Sequence, residues 1–137
     1  RRELFLQSGD FDESLLSLED IDMWMRLAAL AGYSCIEEPL AVILKRPDSM
    51  SRNLEVMREA AIKVMRKNRH LLPESHQGAY WRDCMASIHG DYAKWRYRAG
   101  QRRAALREIC RLFVLAPVSR GRLGLGLIRD MLLNRPV

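Results

Sequence analysis

Apolar residues spaced three and four apart predict helices over most of the chain, and one short stretch breaks that rule. Residues 1–8 predict a short helix with Leu4 and Phe5 turned inward and Gly9 as its stop. Residues 10–16 read as a turn and loop. Ile21, Trp24, Ala28 and Ala31 recur at helical spacing, so a helix from Leu18 to Ala31 is expected to bury that face, with Gly32 closing it. Ser17, three residues before Asp20, has the look of a capping-box entry. Residues 33–37 and 40–44 carry the other pattern. Tyr33 to Glu37 and the unbroken apolar run Leu40-Ala41-Val42-Ile43-Leu44 read as two strands separated at Pro39, the second one buried.

Everything from Leu54 onward predicts helix. The first such helix, 54–72, has Val56, Ala60, Ile62, Val64 and Met65 among basic residues, Asn53 as cap and Pro73 as stop. The next covers 74–99, with Gly90 a point where it could break. Helices over 101–115 and 119–133 follow, the last weakened by Gly121, Gly124 and Gly126. Residues 90–117 are similar to a tetratricopeptide-type helix pair, given Ala93, the Ala99-Gly100 turn, Ala105 and the closing Pro117. One pair is not an array, so it reads as a packing device.

Charge divides the chain at about the same place. Residues 1–50 hold five Lys/Arg against ten Asp/Glu, and residues 51–137 hold eighteen against seven. An acidic portion, 1–53, is thus expected to precede a basic helical region, 54–137. Among the 137 residues no apolar run reaches the roughly 18 that a membrane-crossing helix needs. Cys35, Cys84 and Cys110 lie far apart with no Cys-x-x-Cys pair, and His70, His76 and His89 are scattered. Buried, reduced thiols, surface or capping histidines and no metal site are expected.

The chemistry concentrates in Ser17-Leu18-Glu19-Asp20-Ile21-Asp22-Met23-Trp24-Met25-Arg26. Read blandly, it is an acidic first turn suited to the helix dipole. Read sharply, Asp20 is a general base at the edge of a substrate cleft. The order of its neighbours favours the second: Ser8-Gly9-Asp10-Phe11-Asp12-Glu13 upstream, then Pro39-Leu40 and Arg46-Pro47-Asp48-Ser49-Met50-Ser51 downstream. Residues 1–53 in this arrangement resemble the acceptor-side half of family 2 glycosyltransferases of the GT-A fold. That resemblance implies an α+β fragment, mostly α-helical: the acceptor-side portion of a GT-A α/β domain followed by a C-terminal helical, tetratricopeptide-like bundle. It implies Asp20 as catalytic base with Glu19 beside it, and Asp22, Trp24 and Arg26 as supports of the helix and acceptor site.

Two positions depart from the family pattern. Asp10 replaces a usual glycine. Arg46 replaces a histidine that often helps hold the metal, and an arginine has no lone pair for a cation, although it could contact a diphosphate. No counterpart of the nucleotide-sugar-binding half is present. The expectation is a C-terminal fragment of a cytoplasmic inverting enzyme of polysaccharide or cell-envelope synthesis, inactive alone. In the full-length enzyme the missing half would hold the nucleotide-diphosphate sugar with a divalent cation, Mg or Mn, and the acceptor hydroxyl would belong to a glycan or lipid-linked glycan. The basic helices suggest peripheral membrane contact at the inner face, and an exposed sheet edge suggests self-association. The competing reading is a non-catalytic helical module for protein or membrane-surface contact. Nucleic acid is not an expected partner, since no motif for it is present and residues 1–50 are acidic.

Overall fold

The computed structural model describes residues 1–44, 49 and 53–135. Six α-helices are found there: α1 (Arg2–Ser8), α2 (Glu19–Ala28), α3 (Leu54–Lys67), α4 (Ala79–Arg98), α5 (Arg102–Leu115) and α6 (Gly121–Leu132). Short 3-10 turns, Asn68–Leu71 and Glu74–His76, lie between α3 and α4. The chain divides into two compact units, Arg1–Leu71 and Leu72–Val137.

The fold class is therefore all-helical among the described residues, and the expected α+β portion is corrected. Residues 33–44 form no strand, and their apolar side chains stand in solvent: Leu40 is 71% exposed, Val42 89% and Ile43 87%. A β pattern becomes a strand only when a neighbouring strand takes up its N–H and C=O groups. The described residues of this chain offer no such neighbour, so the pattern stays unrealised.

In the first unit, Gly9 ends α1 at φ 79°, as its position predicted. Asn53 caps α3 by accepting the Val56 N–H at 3.3 Å. Two expectations about α2 are corrected. Ser17 does not cap it: Leu18 takes the cap position at φ 60°, while the Ser17 hydroxyl is buried and donates to Met57 Sδ at 2.8 Å. The face that turns inward carries Asp22 and Met23, whereas Ile21, Trp24 and Ala28 are exposed.

The second unit is a packed helical bundle. The helix pair expected from residues 90–117 is present, as α4 and α5 joined by the tight Ala99-Gly100-Gln101 turn. Between α4, α5 and α6 lie Ala93, Ala105, Ile109, Leu127 and Met131, with Tyr97, Phe113, Leu123 and Ile128 against them. α4 runs unbroken through Gly90. Of the α6 glycines, Gly124 allows the close approach of α5: a Cβ on it would stand 2.6 Å from Phe113 Cζ. Cys35 and Cys110, expected to be buried, are exposed, and Cys84 is half-buried. His89 is buried rather than at the surface, and its Nδ1 lies 2.6 Å from Glu108 Oε2. Glu108 Oε1 also accepts from Arg111 at 2.7 Å, so a polar clip fastens α4 to α5.

Candidate functional site

The first unit is built around a chain of charged groups that fixes α2. Asp22 is fully buried. Its Oδ2 accepts from Arg26 Nε at 3.1 Å and from Lys67 Nζ at 2.9 Å, and its Oδ1 accepts from Asn68 Nδ2 at 2.7 Å. Arg26 sits one helical turn after Asp22 and reaches back to the α1 turn. Its Nη1 donates to the carbonyls of Ser8 and Gly9, and its Nη2 to that of Asp10 at 2.9 Å. One guanidinium thus holds three consecutive carbonyls and one carboxylate, a use of its planar fork that lysine could not reproduce. Gly9 is required there by its positive φ, and a Cβ on it would lie 3.6 Å from Arg26 Nη1.

Lys67 extends the chain of contacts. Its Nζ also donates to Asp12 Oδ2 at 2.7 Å. Asp12 Oδ1 accepts the Ser14 N–H at 3.0 Å and the Ser14 hydroxyl, and Lys63 Nζ donates to Ser14 O at 3.0 Å. The protonation of these groups follows. Hydrogen bonds from Lys67, then from Ser14, hold Asp12 far below the usual carboxylate range. Burial alone would push Asp22 up, but hydrogen bonds from Asn68 and Lys67, with the charges of Lys67 and Arg26, outweigh it and hold Asp22 low. Burial would likewise lower Lys67, and its bonds to Asp12 and Asp22 overcome this and raise it. The carboxylates stay ionised and the ammonium stays charged, so the three are held as a structural unit.

The opposite face of α2 is open. Asp20 is exposed, and its Oδ1 accepts the Ile21 N–H at 2.8 Å. Trp24, one turn further along the same side, is 53% exposed, and its carbonyl accepts the Tyr33 hydroxyl at 2.7 Å. Residues four apart on a helix stand roughly 5–6 Å apart at Cβ, so Asp20 and Trp24 are neighbours. Glu19 is half-buried beside them. Leu18, just ahead, holds a left-handed backbone that costs a residue with a Cβ about 1–2 kcal/mol.

The five sequence-predicted residues of α2 therefore separate by face. Asp22 and Arg26 lie within the lock; Asp20 and Trp24 stand outside it, with Glu19 at the border. Arg46, the expected diphosphate contact, lies outside the described residues. Asp12, Lys63, Lys67 and Asn68 were missed by sequence reasoning. The signal that could have found the lysines was the charge reversal near residue 51, which sets an acidic loop against a basic helix. Asp20 lines neither of two hollows on this unit, one beside Leu15 and Ala60, the other beside Phe5 and Leu27. Among the described residues no three His, Cys, Asp or Glu gather where they could hold a metal ion. Compared with known proteins, the chain matches no family model, no curated protein and no solved structure.

Proposed function

We propose that this chain supplies the acceptor-side base of an inverting glycosyl-transferring enzyme whose nucleotide-sugar site is carried by residues other than these. The observation that carries the reading is the division of α2 into two faces. The inner face spends its charges on Arg26, Lys67 and Asn68. The outer face leaves a carboxylate, Asp20, one turn from an exposed indole, Trp24. A carboxylate beside an aromatic face suits a sugar: the indole stacks on the C–H face of the ring, and the carboxylate takes a hydroxyl proton. The strained Leu18 at the mouth of the helix supports the same reading, because such strain gathers at functional sites. The resemblance of residues 1–53 to family 2 glycosyltransferases supplies the reaction class.

In this mechanism the acceptor oxygen attacks the anomeric carbon from the side opposite the leaving diphosphate. The new C–O bond forms as the bond to the diphosphate breaks, and the acceptor proton passes to Asp20. The electron pair leaves with the diphosphate. Trp24 orients the acceptor, and the buried Asp22–Arg26 pair keeps Asp20 from drifting.

The test uses the full-length enzyme with its sugar donor. Asp20→Asn should lower turnover about 10²–10⁴-fold, the range expected for loss of a general base, while donor binding is unchanged. Trp24→Ala should raise the acceptor KM more than it lowers kcat. Full turnover by Asp20→Asn would remove this residue from the chemistry.

A further inference from the structure

The second unit carries twelve Lys/Arg against five Asp/Glu, and the last helix arranges part of that excess in a regular way. α6 turns Gly121, Gly124, Leu127 and Met131 inward. Its outward positions read Arg122, Leu125, Arg129, Leu132, at steps of three and four, and all are exposed. Val118, in the turn just before, is 91% exposed; Leu125 is 62%, Leu132 78% and Leu133 54%. From residue 109 to the end of the sequence Asp130 is the single acid. It lies 2.9 Å from Arg129, an exposed pair that binds weakly. The outward stripe is therefore aliphatic and cationic in alternation.

Each simpler occupant satisfies only half of this stripe. A second copy of α6 would bring one cationic stripe against another, with Asp130 the single acid to offset it. A nucleic acid would accept the guanidiniums and leave the leucines in water. An anionic phospholipid surface takes both: aliphatic side chains enter the boundary between headgroups and acyl chains, and guanidiniums bond the phosphates. The helix has 12 residues and is about 18 Å long, so it would lie in the plane of such a surface. Among the described residues no helix is long and apolar enough to cross a membrane.

We propose that the outward face of α6 docks this chain on an anionic phospholipid surface, with Leu125 and Leu132 inserted and Arg122 and Arg129 on the phosphates. The inference does not depend on the role given to Asp20.

The test is co-sedimentation of the whole chain with vesicles of phosphatidylcholine and phosphatidylglycerol in equal parts, and with phosphatidylcholine alone. Partition should favour the anionic vesicles and fall with added salt. Arg122→Gln and Arg129→Gln should each weaken it about fivefold. Leu125→Gln and Leu132→Gln should each weaken it about tenfold. All four positions are exposed, so the far-UV spectrum and melting should not change. Leu125→Trp gives an independent readout: the emission of the added indole should shift to the blue on anionic vesicles and be quenched by brominated acyl chains. Equal partition onto neutral vesicles, no effect of the four variants, or an unshifted emission from Leu125→Trp would overturn the proposal. So would a lipid-free dimer that dissociates in the leucine variants, or tighter retention on a DNA duplex that those variants leave intact.

Discussion

The two units of this chain solve the problem of burial in opposite ways. In the second, the least exposed large side chains are Ile109 and Leu112, with Glu108 clipped between helices. In the first they are Val64, Asn68 and Asp22. Apolar packing is undirected and tolerates repacking, whereas a buried carboxylate is stable only while every partner remains in place. The first unit therefore gains a defined geometry for α2 at the risk of brittleness, and the second gains tolerance.

That contrast can be broken most sharply at Asp22. Asp22→Ala leaves Arg26, Lys67 and Asn68 facing an empty position and should cost the first unit about 3–5 kcal/mol, enough to unfold it while the second unit persists. Denaturant unfolding followed by far-UV dichroism would then show partial loss of helix in the absence of denaturant. Leu112→Ala, fully buried, should cost the second unit about 2–5 kcal/mol and shift its transition without touching the first. The pH dependence should separate the units further. The folded-state pKa of Asp12 and of Asp22 is lowered, so the stability they carry is complete above roughly pH 4 and is lost as pH falls through their folded values. That of Lys67 is raised, so its contribution is complete below roughly pH 10 and is lost above it. An acid titration should accordingly melt the first unit before the second. A smaller effect is expected from Arg120→Ala in the second unit. Its pair with Asp83 is partly exposed, and its loss should change the unfolding free energy by less than about 1 kcal/mol.

The helices after residue 53 were legible because their information is local: Asn53 and the Ala99-Gly100 turn each act within a few residues of themselves, although α3 ends at Lys67, short of the expected stop at Pro73. The lock around α2 was not, because its partners are distant. Lys67 and Asn68 lie 45 and 46 residues from Asp22. Without them the apolar side of α2 is the natural inner face, and Ile21, Trp24 and Ala28 were expected there. With them the charged side turns inward and the indole is left outside. Residues 33–44 misled for a related reason, since strand propensity says nothing about whether a partner exists. Glu108 explains the burial of His89, and sequence spacing gave no hint of that pairing.

One paired measurement bears most directly on the two-faced α2. Equilibrium unfolding of the chain would be compared for Asp20→Ala and Asp22→Ala, two acids only two positions apart. The first should match the parent within about 0.5 kcal/mol, as an exposed residue outside the lock should. The second should lose the transition of the first unit altogether. Equal destabilisation by both, or a stable Asp22→Ala, would contradict the division of the helix into a locked face and an open one.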